Sequence, residues 1–593
     1  MPGVAPRSVR PVGPDLRVVA LLAGLWIAPW SAMTVAAWVA GGSPSASPID
    51  FVNPARIAHQ LDLDRGSFVW WHLVAAYGDV RAWLFWLALV TLVLAPVSLV
   101  LVSAQVRQRL LRVGGWLIAS EGTVQRASRW ATGSDLRGMY VRRPRRGCFT
   151  LGSRGRRLIA TESETSVLVI GPTRSGKTTG LVVTNLFDWD GPAVVTSTKS
   201  ELVDVTAAQR QSVGPVYVYD PTGELGDRVQ RITWSPLAGC DDLDRAWMVA
   251  TWLCAGLQQT GNRGDNDWAH WAESGKLLLA PLLFAAASTH RTIVDVHGWI
   301  HAFDTVTPSA LIGDMLFEPV AATNGDPYRA SSMLQAIDQR PEKERGTVFS
   351  TVMRVFSVFN ERAVAESALA CQLRPDDFLS RRGTLYLCTP RQSPERIASL
   401  FVGVLMSIVT AAYARSDRLV NAQWPTSSPL GLFLDELANV VPIEELPALA
   451  SQGAGRGVVL MSIVQDLSQL RARYGQDRAY SIVNNHACKV ILPGVSDPET
   501  NDVLSRIIGR SEFTDVAVNH GGDGRVGRTY SVRHDSMATP DALRQLRAGS
   551  AIVVHRGRPP AAVRLRPWYS DRRLRKLAER RFLKNADFAR RPG

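Results

Sequence analysis

The chain has 593 residues, enough for three or four domains, and 46% of them are hydrophobic against 20% charged, which excludes a disordered or purely fibrous protein. Lys and Arg total 67 and Asp and Glu 53, a formal net charge of +14. A basic surface favours anionic partners, nucleic acid or the anionic face of a membrane. Arginine-rich composition on its own gives the same excess, so charge does not choose between these. The six cysteines, Cys148, Cys240, Cys254, Cys371, Cys388 and Cys488, form no CxxC pair and no metal-like spacing with His. Small core residues in a reducing compartment are expected, with neither zinc nor disulfide.

In chain order, two stretches come first. Residues 18–39 and 82–102 are apolar, free of ionisable side chains and Trp-rich, and each is long enough to cross a bilayer as a helix. Arginines at 7, 10 and 17 precede the first, and at 107, 109 and 112 follow the second. The positive-inside rule therefore predicts a plasma (inner) membrane protein with two spans, both termini cytoplasmic, and a short outside loop over 41–81. Residues 1–106 are read as this anchor. A juxtamembrane segment with an arginine cluster at 142–146 follows.

From residue 166 short apolar runs alternate with helical stretches. Strands are expected at Val167–Ile170, Ala193–Thr196, Val216–Asp220, Thr384–Leu387, Leu430–Leu434, Val458–Ile463, Val490–Leu492 and Ala551–Val554. The pattern predicts an α/β fold, a parallel sheet covered on both faces. Between 241 and 376 the periodicity is mostly helical, which predicts an all-helical domain inserted into the core. The core is thus split into 107–240 and 377–570, and a basic tail, 571–593, ends the chain; it could contact DNA, the membrane surface or nothing, and a solvated face is expected.

Residues 171–178, Gly-Pro-Thr-Arg-Ser-Gly-Lys-Thr, match the phosphate-loop pattern G-x-x-x-x-G-K-[ST] between a strand and a helix. Glycines let the backbone curl its N–H groups toward phosphates, and the helix adds its positive end. Gly171, Pro172, Thr173, Arg174, Ser175, Gly176, Lys177, Thr178 and Thr179 are the expected ATP-binding residues. Lys177 supplies a point charge to the β and γ phosphates, and Thr178 a hydroxyl to Mg²⁺. The apolar strand ending in Asp435-Glu436 supplies the second half of such a site. Asp435 would hold Mg²⁺ through water and Glu436 activate the attacking water. Gln465, after the next strand, can touch the γ phosphate. Arg456, between Gly455 and Gly457, could reach a neighbouring subunit's nucleotide in a ring; it reads equally as a solvated surface arginine.

These motifs, together with Lys199-Ser200-Glu201-Leu202, Asp220-Pro221-Thr222-Gly223, Ser235-Pro236-Leu237, Leu434–Asn439 and Gln465–Leu470, resemble the type IV coupling proteins of the TraG/TraD class, the conjugative DNA-transfer ATPases. The resemblance covers residues 140–565. The arginine-rich style and the Gly-Arg-Gly loop look most like actinobacterial members. It implies a RecA-like motor with an all-helical insertion, assembling as a homohexamer. It also implies ATP-driven movement of single-stranded DNA, or of a relaxase–DNA complex, toward a type IV secretion channel. Where many members read Asp-Pro-Lys-Gly-Glu, this chain reads Ser197-Thr198-Lys199-Ser200-Glu201, without the aspartate. Alternatives are a coupling ATPase for protein effectors, an FtsK-like translocase, or a membrane scaffold that holds nucleotide without hydrolysing it.

Overall fold

Apolar runs of four to seven residues, bounded by turns, form the centre of the molecule. The structure is a computed structural model that describes residues 129–579, apart from 198–200, 227–228, 256–264, 318–325, 389–393, 422–427 and 521–525. The two expected spans, Lys199-Ser200 and the chain beyond 579 lie outside the described residues. Fourteen strands are described: β1 (Tyr140–Val141), β2 (Thr150–Arg154), β3 (Arg157–Ala160), β4 (Val167–Ile170), β5 (Ala193–Ser197), β6 (Val216–Tyr219), β7 (Thr384–Cys388), β8 (Leu430–Leu434), β9 (Val458–Val464), β10 (Cys488–Ile491), β11 (Arg510–His520), β12 (Val526–Ser536), β13 (Ser550–His555) and β14 (Ala561–Arg564).

Twelve of them make one sheet in the order β1-β3-β2-β14-β13-β10-β4-β9-β8-β5-β7-β6. Only β10 through β6 are parallel. The other five strands extend the sheet in antiparallel fashion. The wholly parallel sheet expected from the α/β alternation is therefore only part of the sheet. The arginine-rich segment, read as a juxtamembrane connector, supplies three edge strands instead. Those strands are only two to five residues long, so no apolar run marks them. β11 and β12 pair over their full length as a separate two-stranded ribbon that the sequence also did not signal.

Alternation along the parallel strands sorts side chains onto two faces. Leu168, Ile170, Val194 and Leu432 join one apolar core. Val167, Val169, Val195 and Phe433 join the other. Both faces are covered, as buried parallel strands require. Between β6 and β7 the described regular elements are all helices, from Leu243–Ala255 to Pro375–Ser380. Their apolar residues merge with the first core, so this stretch and that face of the sheet share one buried cluster. The next helix, Ala398–Asn421, is apolar throughout its first half and packs against Leu243–Ala255. Residues 127–593 form one compact unit.

Two buried polar groups tie helices to the sheet. Arg210, fully buried in helix Glu201–Gln211, donates from Nε to Thr384 Oγ1 (2.8 Å), from Nη2 to the Gly191 carbonyl (2.7 Å) and from Nη1 to the Trp189 carbonyl. Burial pulls its pKa down to about 10, still well above neutrality. His486 donates from Nδ1 to the Ile482 carbonyl (2.7 Å), and its Nε2 accepts from Ser462 Oγ (2.9 Å). Burial pulls it down to about 4, so it is a neutral core residue.

The start of the basic tail keeps Arg572, Arg573, Arg575 and Lys576 exposed, and its apolar side docks on the core. Helix Arg572–Ala578 buries Leu574 and packs on helices Glu201–Gln211 and Val183–Asp188. Asp571 caps it, Arg566 bridges Asp571 (2.8 Å) and Asp188 (3.2 Å), and Arg573 pairs with Asp188. Burying Leu574 alone contributes about 2 kcal/mol.

Candidate nucleotide site

The phosphate loop leaves the C-terminal end of β4 and turns into a helical segment. That segment opens with one wide turn of π geometry, Thr178–Val182, and continues as Val183–Asp188. The Gly171 N–H donates to the Val464 carbonyl (3.1 Å), which fixes the start of the loop to the end of β9. A Cβ on Gly171 would meet Leu492 Cβ at 2.7 Å and Ser175 Oγ at 2.8 Å, so only glycine fits. Gly176 has φ +91, a conformation that glycine adopts without steric cost. Arg174 is also left-handed (φ 64), which costs a non-glycine residue about 1 kcal/mol or more. Thr173 and Arg174 are exposed, while Pro172 and Thr179 are half-buried around the loop.

Lys177 is 7% exposed, and among the described residues its Nζ has no hydrogen-bond partner; nor has the buried Ser175 Oγ. A buried amine left this way is costly, by several kcal/mol if charged. Multiply charged phosphate oxygens in the loop would satisfy both groups. This donor set fits a nucleoside polyphosphate.

Asp435 follows β8, and the sequence separation from the loop is closed in space. Thr178 Oγ1 donates to Asp435 Oδ2 at 3.1 Å across 257 positions of sequence. Thr196 Oγ1, near the end of β5, donates to the Asp435 carbonyl at 2.8 Å and holds that backbone in place. A hydroxyl and a carboxylate oxygen side by side are the hard oxygen donors that suit Mg²⁺. Glu436 sits in the left-handed region (φ 53), which turns the chain sharply out of β8. Strain of this kind concentrates at functional sites.

β8 is not the direct neighbour of the loop strand. β9 lies between β4 and β8 and pairs with both. Its end carries Gln465, half-buried, whose N–H donates to Gln469 Oε1 (3.1 Å). Lys177, Thr178, Asp435, Glu436 and Gln465 thus stand at the same, C-terminal end of the parallel strands.

Arg456 does not join them. It precedes β9 and lies at the opposite end of the strands, about 20 Å away at 3.3 Å per residue. There its Nη2 bonds Asp417 Oδ2 at 2.8 Å and its guanidinium covers the Tyr413 ring at 4.2 Å. Asp220, in the Asp-Pro-Thr-Gly motif, accepts from the N–H groups of Gly223 (3.0 Å) and Leu225 (2.9 Å) and so shapes a turn. One contributor went unnoticed in the sequence. Leu565 lies against the loop helix, 3.4 Å from where a Gly176 Cβ would stand and 3.3 Å from where a Gly180 Cβ would stand. Gly176 at the end of the loop and Gly180 in its helix were the available signal of such a close approach.

Comparison with known proteins agrees with this geometry. The family model "Type IV secretory system Conjugative DNA transfer" matches residues 119–589. The conjugal transfer protein TraG of Escherichia coli is 25% identical over 406 residues, covering 63% of this chain and 61% of TraG. The protein VirD4 of Rhizobium radiobacter is 23% identical over 436 residues, covering 70% of this chain and 58% of VirD4. The chain thus spans about three fifths of the length of these curated relatives. Among solved structures, the plasmid coupling protein TrwB in complex with ADP and Mg²⁺ superposes with a TM-score of 0.54 at 18% identity, covering 74% of this chain and 94% of TrwB. The fold is therefore the mixed α/β fold of that protein, with its large parallel sheet.

Proposed function

This chain belongs to the type IV secretory system conjugative DNA-transfer family, and on that premise we propose that it is a membrane-anchored ATPase that couples a DNA substrate to a type IV secretion channel. The 3.1 Å contact of Thr178 with Asp435 carries the reading, because it joins the phosphate loop to the acidic strand end beside the buried Lys177. Relatives named for conjugal transfer and a TrwB complex with ADP and Mg²⁺ support it.

In this reading Lys177 and the loop N–H groups bind and orient the β and γ phosphates of ATP. Thr178 and Asp435 hold Mg²⁺, which neutralises phosphate charge when bound. Glu436 takes a proton from the attacking water, and Gln465 contacts the γ phosphate at the end of the intervening strand. Arg456 acts from the neighbouring subunit of a homohexamer, since its own loop is at the other end of the sheet. Residues 18–39 and 82–102 anchor the ring with both termini in the cytoplasm. Single-stranded DNA, or relaxase bound to it, is the cargo.

The test is ATP hydrolysis by the purified full-length chain with and without single-stranded DNA at rising salt. DNA should raise the rate, and the effect should fall steeply with salt, because phosphate neutralisation dominates non-specific binding. A rate indifferent to DNA would rule out the DNA-coupled motor. A complete absence of ATP hydrolysis would rule out the ATPase itself.

A further inference from the structure

We infer that the arginine row at the β1 edge of the sheet docks on anionic phospholipid headgroups and holds the ATPase unit against the bilayer. The inference rests on the reading that residues 82–102 span the membrane. Residues 129–160 contain nine arginines and one acidic residue, Asp135. Nine minus one leaves +8 in this short segment, more than half of the chain's +14. All nine arginines are exposed. Arg129 takes Asp135 (2.6 Å) and Arg146 pairs with Asp190 (2.9 Å). Arg137, Arg142, Arg143, Arg156 and Arg157 have no carboxylate partner among the described residues.

Strand register lines these charges up. Arg154 on β2 stands opposite Arg157 on β3. Val141 on β1 stands opposite Leu158 on β3, so Arg142 follows alongside Arg157. With adjacent strands about 4.8 Å apart, three arginines form a row across the lobe. Arg156 adds a fourth at the turn, which Gly155 (φ +63) makes tight. Like charges placed directly opposite each other destabilise a strand pair. Charges on an edge strand discourage edge-to-edge pairing, and this lobe carries eight in excess. A polyanion that touches the whole row offsets the repulsion.

Two observations favour lipid over nucleic acid. Sites for single strands offer a series of open aromatic faces on which successive bases stack. Here the Tyr140 ring is covered by the Arg157 guanidinium, 5.7 Å from its centroid. The exposed aromatic of the lobe is Trp130, beside Ala131, whose carbonyl accepts from Arg154 Nη1 (2.7 Å). Tryptophan next to arginine is the composition of a membrane interface. The tether is also limited. About 27 residues separate position 102 from Trp130, so the lobe stays within about 90 Å of the bilayer even with the chain fully extended.

The test uses the full-length chain in lipid nanodiscs of phosphatidylcholine alone or with phosphatidylglycerol, followed by amide hydrogen exchange. Exchange over 140–158 should slow several-fold only in the phosphatidylglycerol discs. The slowing should vanish at high salt and in R154Q/R156Q/R157Q, and persist in R154K/R156K/R157K. Equal exchange in both discs would overturn the inference, as would slowing that needs added single-stranded DNA, which would make the row a nucleic-acid surface. Incorporation into both kinds of disc reports separately on the anchor. If the chain enters neither, the anchor reading fails, and selective binding to phosphatidylglycerol vesicles then decides the lipid site by itself.

Discussion

The two ends of the parallel strands are built from opposite chemistry. At the N-terminal ends every cation described above is already satisfied within the chain: Arg210 bonds Thr384 and the carbonyls of Trp189 and Gly191, and Arg456 lies between Asp417 and Tyr413. At the C-terminal ends the buried Lys177 Nζ has no such partner among the described residues, and the backbone at Arg174 and Glu436 is left-handed. The helix that follows β4 starts at this second end, and its N–H-rich start favours anions. The contrast teaches that the cations of the N-terminal side are already paired within the chain, whereas the C-terminal side carries an unfavourable arrangement that a phosphate ligand would relieve.

The largest effects should come from the C-terminal end. E436Q is expected to lower ATP turnover at least about a hundredfold while a fluorescent ATP analogue still binds; surviving turnover would remove Glu436 from the proposed role. K177M should abolish turnover and yet raise the stability of the nucleotide-free protein by about 1 kcal/mol, since it removes an unpartnered buried amine; a drop in thermal stability would break the contrast. At the other end R210M should cost about 3 kcal/mol in chemical denaturation, leaving three carbonyl or hydroxyl acceptors without a donor, with ATP affinity per folded molecule unchanged.

Acid should act through His486. Above its ordinary pKa of 6.5 both folded and unfolded chains are neutral there. As pH falls from 6.5 toward about 4 the unfolded chain takes up a proton that the buried ring refuses, so stability is lost across that window. At 1.36 kcal/mol per unit the loss approaches about 3 kcal/mol, and H486Q should flatten this part of a stability–pH curve. The smallest effect is expected from D417N, because exposed ion pairs contribute less than about 1 kcal/mol.

Much of the site was legible because its signals are local. Val167–Ile170 and Leu430–Leu434 are short apolar runs that end in Gly171 and Asp435-Glu436, and both strands lie where the sequence put them. What stayed hidden depends on distant partners. Nothing near Arg210 in sequence says that its guanidinium will be buried against Thr384, 174 positions away. The strands β1 to β3 are short and antiparallel and lie among arginine-rich turns, so neither apolar runs nor alternation reveals them. The docking of Arg572–Ala578 turns on Asp188, far upstream, which a reading of the tail's own basic composition does not see.

Helix Ala398–Asn421 has a further consequence for how the chain is threaded. Within Glu395–Val420 an 18-residue window has a mean hydropathy of 2.1, enough in length and composition to cross a membrane, although 78% of that window is buried inside the protein. A hydropathy count would therefore add a crossing here and send everything after residue 420 to the opposite side of a membrane. Thr178 precedes this helix and Asp435 follows it, and the two touch at 3.1 Å. Both ends of the helix must then share one compartment, so this helix is part of the folded core and not a crossing.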